Sequence, residues 1–178
     1  CFEKAVHHIC MSSAKMIDRA AHTARSLGYD VRVLPSAVEG DTAEAAAEHV
    51  RMIRGFIASG TFRRPLCLLS RGETTVQVKG KGKGGRNTEF VLRSSLCAED
   101  ITYLYIGSIG TDGSDGPTDA AGAWMSTGLF RSLRGSGIVP ERYAEENDSY
   151  ALMEKAGTLV KTGPTWTNVL DLRMMILP

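Results

Sequence analysis

The 178 residues lack a run of about 20 apolar residues, and lack a basic leader followed by a short apolar core. Neither a membrane span nor a secretory signal is therefore expected. Charge of one sign is also missing: 21 Lys and Arg stand against 20 Asp and Glu, for a net charge of +1. With the two signs mixed throughout, no basic face is expected for nucleic acid or for a membrane surface. Cysteine is sparse, and Cys1, Cys10, Cys67 and Cys97 show no CxxC spacing and no histidine at a zinc-finger interval. Because disulfides track oxidising compartments, reduced and mostly buried thiols in a cytoplasmic protein are expected. The chain carries no G-x-G-x-x-G in a strand–helix context, no GK followed by Ser or Thr, and no EF-hand spacing. That removes the usual seats for a dinucleotide, a P-loop nucleotide and calcium.

What is present is a globular composition, 43% hydrophobic and 23% charged, enough for one respectable core or two small ones. The sequence opens at Cys1 inside an amphipathic pattern, so a piece of a longer polypeptide is expected. Residues 3–27 carry apolar side chains at helical spacing up to Gly28. "VRVLP" (31–35) reads as a strand, and the next helix runs from an Asp41 or Thr42 cap to Gly60. Residues 1–60 thus read as helix, strand, helix. Beyond them, "LCLLS" (66–70) reads as a buried strand and "TTVQVK" (74–79) as a half-exposed one. A helix over 87–98 with Asn87 near its cap, a strand over 101–109 and a helix from about Asp119 to Leu133 follow. The last elements are a polar helical stretch (140–156) and strands at 158–162 and 172–177. Strands separated by helices imply an α/β fold, a layered sheet that is largely parallel with some antiparallel pairing and helices packed on it.

Three unusual loops fall at the expected carboxyl ends of strands, where such sheets gather ligands. The first, "KGKGGRNTEF" (81–90), sets glycines and basic residues ahead of a helix start. Glycine admits close backbone approach, and a helix N-terminus offers unsatisfied N–H groups to an anion; an ordinary glycine turn explains the loop equally well. Arg86 favours a ligand, since its planar donors suit a carboxylate or phosphate, whereas Lys81 and Lys83 read as solvated. The second, "GTDGSDGPTDAAGA" (110–123), places Asp112, Asp115 and Asp119 within eight residues. Asp119 reads as a helix cap, while Asp112 and Asp115 suit either turn stabilisation or a Mg²⁺ or hydroxyl-orienting site. The third, "TGPTWTN" (162–168), offers Thr165, Thr167 and Asn168 as neutral hydrogen-bonding groups.

Taken in order, "RGETTVQVKGKGKGGRNTEF", "GTDGSDGPTDAAGA" and "TGPTWTNVLDLR" resemble the C-terminal MOFRL domain of the glycerate 2-kinases, a family also labelled hydroxypyruvate reductase. The likeness covers residues 64–178 as that domain. Residues 1–60, through "ARSLGYDVRVLPSAVEGDTAEAA", resemble the tail of the family's larger N-terminal α/β domain. The resemblance implies ATP-dependent phosphoryl transfer to the 2-hydroxyl of D-glycerate in a cleft between the two domains. ATP and Mg²⁺ are the implied cofactors, the missing N-terminal domain is the implied partner, and a homodimer is a further expectation. It implies that Arg86 is essential for catalysis. Gly82, Gly84, Gly85, Asn87, Glu89, Thr111, Asp112, Asp115, Thr165 and Asn168 are the implied substrate- or nucleotide-binding residues, with Asp112 and Asp115 also as metal ligands. Two positions depart from the family pattern: Arg71 stands where a small residue is usual, and Trp166 replaces a glycine. An oxidoreductase acting on hydroxypyruvate and a non-catalytic anion-binding module are the alternatives.

Overall fold

The computed structural model describes residue 6 and residues 8–178. Helix α1 (Ser13–Ser26) is capped by the Ser12 hydroxyl and is followed by strand β1 (Asp30–Val33). Helix α2 (Thr42–Ser59) starts where the Asp41 carboxylate accepts the N–H groups of Ala43 and Glu44, and stops at a left-handed Gly60. Strand β2 (Leu66–Gly72) and helix α3 (Arg86–Cys97) come next. Strands β3 (Tyr105–Gly110) and β4 (Gly122–Ser126) precede three short helices, α4 (Thr127–Gly135), α5 (Pro140–Glu145) and α6 (Ser149–Ala156). The order ends with β5 (Leu159–Val160) and β6 (Asp171–Leu177).

The six strands form one sheet in the order β1-β2-β6-β3-β4-β5. Its α/β character is as expected, but its pairing is not largely parallel. Only β1–β2 is parallel, while β2–β6, β3–β6, β3–β4 and β4–β5 are antiparallel. The difference arises in the acidic loop: residues 122–126 form β4 instead of the first turns of a helix, so β3 returns beside itself through a loop. Strand β6 then inserts antiparallel between β2 and β3. The 74–79 stretch is no strand either; only Thr75 bridges, to Asp41.

Alternation across the strands divides the core. Leu66, Leu68, Ile106, Ala123, Met125, Met175 and Leu177 point to the face carrying α2 to α6, where Phe90, Val91 and Leu92 of α3 are wholly buried. Cys67 and Leu69 point to the other face, beneath Ile17 and Ala21 of α1. Burial from both sides is why β2 reads as a continuous apolar run. The expected start of α1 at residue 3 falls partly outside the described residues, and residues 8–12 are not helical. Among the described cysteines Cys67 is buried, but Cys10 and Cys97 are exposed, against expectation. No helix among the described residues is long and apolar enough to cross a membrane.

Candidate functional site

The ends of β2 and β3 and the start of β6 meet at one edge of the sheet, where Asp171 lies in register with Gly72 on one side and Gly110 on the other. Arg86, first residue of α3, reaches this edge. Its Nε donates to Asp171 Oδ2 at 2.8 Å and its Nη2 to Asp171 Oδ1 at 3.0 Å, a bidentate pair. The remaining nitrogen, Nη1, lies 3.4 Å from Glu73, and the side chain is 22% exposed. Asp171 fixes the guanidinium's charge, raising an already high pKa.

The amide of Asn87 donates to Asp171 Oδ1 at 3.1 Å and accepts from the Ser108 hydroxyl at 2.5 Å. From beneath, the buried Arg173 donates through Nη2 to Asp171 at 3.1 Å and to Thr74 at 3.0 Å, its guanidinium 5.3 Å from the Phe90 ring centre. His49 is buried nearby, with Nδ1 2.7 Å from the Ala45 carbonyl and Nε2 2.7 Å from the Ser70 hydroxyl. A carbonyl can only accept, so Nδ1 carries the proton and Nε2 accepts from Ser70.

In the structure the glycine loop packs against the α5–α6 junction, as the turn reading of its composition allows. The Lys79 and Gly80 N–H groups donate to Asn147 Oδ1 at 2.7 and 3.0 Å, and Lys83 N–H donates to Asp148 at 2.9 Å. Gly82 N–H donates to the Glu146 carbonyl at 2.7 Å, and Gly85 N–H to the Thr88 hydroxyl at 3.1 Å. A Cβ on Gly82 would lie 2.4 Å from Asp148 Cβ, and one on Gly84 would lie 2.2 Å from the Ser149 hydroxyl. The glycines thus let the loop press against the α5–α6 junction. Gly82 and Gly85 do not present free donors to an anion as expected.

Asp115 is likewise relocated. It is fully buried, its Oδ1 accepting Asn87 N–H at 2.8 Å and its Oδ2 accepting Thr88 N–H at 2.9 Å and the Thr88 hydroxyl at 2.8 Å. It caps α3, whose own cap residue, Gly85, has no side chain to offer. Burial pushes its carboxyl above the usual carboxylate range, against the pull of those donors. Asp112 instead turns its own loop, accepting Ser114 N–H at 3.0 Å. With both oxygens of Asp115 engaged by α3, the pair does not fit Mg²⁺, and no cluster of three metal-ligating side chains occurs among the described residues.

The acidic and threonine loops are tied together. Thr111 donates to the Leu170 carbonyl at 2.7 Å and accepts Val169 N–H at 2.9 Å, and Thr165 N–H donates to the Asp112 carbonyl at 3.1 Å. Asn168 is exposed and spends its side-chain oxygen on Leu170 N–H at 3.1 Å, leaving its amide donors outward. Trp166 is 93% exposed with φ +60, so the indole stands at the loop tip in a conformation that suits glycine. Glu89 lies off this edge. It is paired with Arg93 at 2.7 Å, its carboxyl raised by burial, and it lines a polar cavity of about 430 Å³ with Thr42, Lys79 and Asn147. Asp119 caps no helix but binds the Tyr150 hydroxyl at 2.7 Å and Lys161 at 2.9 Å, which hold its carboxyl down at about 2, Lys161 contributing most.

Sequence reasoning missed Asp171, Glu73, Arg173 and Ser108. "VLDLR" gave one signal: two opposite charges within a strand otherwise bound for the core.

Fold and edge together define a mixed α/β domain that holds a half-buried arginine at the rim of its sheet. The chain belongs to the MOFRL family, whose sequence model matches residues 66–171. It is 36% identical over 170 residues to the D-glycerate 2-kinase of Thermotoga maritima, covering 93% of this chain and 40% of that protein. It is 35% identical over 169 residues to an Agrobacterium vitis protein that bears the hydroxypyruvate reductase name, covering 93% of this chain and 44% of that one. The crystal structure of the Thermotoga maritima glycerate kinase superposes with a TM-score of 0.90 at 34% identity, over 96% of this chain and 42% of that one. The chain thus spans about two fifths of the length of these relatives.

Proposed function

We propose that the full-length protein transfers the γ-phosphoryl group of ATP to the 2-hydroxyl of D-glycerate, with this chain forming one wall of the cleft and an upstream domain the other. The observation that carries the reading is the Arg86 guanidinium, immobilised on one edge by Asp171 and, on the other, presenting Nη1 at the surface 3.4 Å from the exposed Glu73, beside the joined 110–119 and 163–168 loops. Phosphoryl transfer through a loose transition state needs positioning and spread positive charge more than covalent chemistry. A guanidinium whose entropy is already spent on a buried carboxylate supplies both. The exposed Asn168 amide suits hydrogen bonding to hydroxyl or carboxylate groups of the acceptor, whereas the Thr165 hydroxyl donates to the Thr111 carbonyl and serves to hold the loops together. Mg²⁺ reaches such a reaction with the nucleotide, and Asp112 and Asp115 do not seat it. The free thiols of Cys10, Cys67 and Cys97 suit a reducing compartment such as the cytoplasm.

The test is ADP release from Mg-ATP with and without D-glycerate, on the full-length protein and on its Arg86→Ala variant. Glycerate-dependent release that falls by at least about 100-fold with Arg86→Ala is expected. Absence of release, with NADH oxidation on hydroxypyruvate instead, would replace the kinase by an oxidoreductase. Ligand-induced thermal stabilisation without turnover would replace it by a binding module.

A further inference from the structure

Asp171 is the only carboxylate that touches both Arg86 and Arg173 among the described residues. It is fully buried, and its neighbours fix it from the side away from the cleft. Asn87, itself held by the Ser108 hydroxyl, donates to Oδ1, and Arg173, itself held by Thr74 and laid over Phe90, donates to Oδ2. In the sheet its partners in register are Gly72 and Gly110, so no flanking side chain competes for the carboxylate. A Cβ on Gly110 would come within 3.4 Å of the Asn87 amide nitrogen that supports it. Both lines of support are themselves buried: Ser108, Asn87, Thr74 and Arg173 are each 2% exposed or less. A carboxylate so held can take a guanidinium in one plane only, through Nε and Nη2, and leaves Nη1 facing the surface beside the exposed Glu73, 3.4 Å away.

We propose that Asp171 is a positioning residue for the phosphoryl-transfer site, setting the plane and reach of Arg86 through a carboxylate locked by Asn87 and Arg173. The proposal rests on the kinase reading of the full-length protein. Asp171 has a second duty, because it is the carboxylate paired with the buried Arg173, and removing it alone leaves that charge uncompensated. Folding and positioning must therefore be separated.

Two variants of the full-length protein do so, with kcat, KM for D-glycerate and for ATP, and Tm measured for each beside wild type and Arg86→Ala. Asp171→Glu keeps the charge but lengthens the side chain by one methylene. Asp171→Asn combined with Arg173→Met removes both the clamp and the buried charge. Both are expected to melt within a few degrees of wild type while losing about 100-fold in kcat, the scale of a 1 Å misplacement, with KM for ATP moving less than threefold. Arg173→Met alone, in which Asp171 still grips Arg86, is expected to lose at least tenfold less. Recovery of wild-type kcat together with Tm in the double variant, or unchanged kcat in Asp171→Glu, would overturn the positioning role. Inactive wild type would instead fault the kinase reading, and an active Arg86→Ala would fault the arginine's part in it.

Discussion

Replacing Asp115 by alanine tests whether the acidic loop builds the helix or binds metal. The change strips α3 of its cap: two buried N–H groups, on Asn87 and Thr88, lose their acceptor, while the Thr88 hydroxyl can still turn to the Gly85 carbonyl 3.2 Å away. An orphaned buried donor costs about 1–3 kcal/mol. Two of them, less the relief of no longer burying a carboxylate, give a loss of roughly 3 kcal/mol. For a domain of this size each kcal/mol moves Tm by about 2–4 °C, so a fall of roughly 10 °C is expected by circular dichroism. Asp115→Asn, which retains one acceptor, should fall between. If the full-length protein has the proposed Mg-ATP-dependent activity, the dependence of that activity on Mg²⁺ should not change in either. A variant that melts like wild type but needs more Mg²⁺ would refute the capping argument and restore Asp115 as a metal ligand.

Burial pushes the His49 imidazole down to about 4 from an ordinary 6.5. The unfolded chain then binds a proton below pH 6.5 that the folded chain refuses until about pH 4, so stability is full above 6.5 and declines through that window. The difference corresponds to about 3 kcal/mol; urea unfolding at pH 7 and pH 4 should show that much less acid sensitivity in His49→Gln, and parallel behaviour of the two proteins would count against the buried neutral ring. Trp166→Gly should relieve a left-handed conformation costing about 1–2 kcal/mol while adding some chain entropy. A Tm rise of about 2 °C is expected, and a fall would mean that the indole is packed against something.

The parts of the fold visible in the sequence are those set by local chemistry. The α2 boundaries follow from Asp41 and Gly60, and β2 follows from an apolar run. The helix expected over 119–133 is borne out only from Thr127, as α4, because Ala120, Ala121 and Ala123 favour a helix locally while their burial against β3 and β5 makes residues 122–126 a strand. At the site, Arg86 was recognisable from its residue type and place before a helix. Its partner, 85 residues away, was not, since long-range register decides which carboxylate meets it. The glycine loop was ambiguous for a related reason: "KGKGG" states that something approaches closely, not whether that something is a phosphate or the Glu146–Ser149 backbone.

The central position of β6 bears on how this domain can be made. Five strands precede it in the chain, yet β1–β2 and β3–β4–β5 touch in the sheet only through it. On a ribosome the two groups must wait as separate half-sheets, each with an unpaired edge, until the sixth strand emerges and splices them. The same stretch delivers Asp171 to Arg86, so the arginine acquires its aim in the very step that closes the sheet. A nascent chain stalled just short of Asp171 would therefore be both unspliced and unarmed.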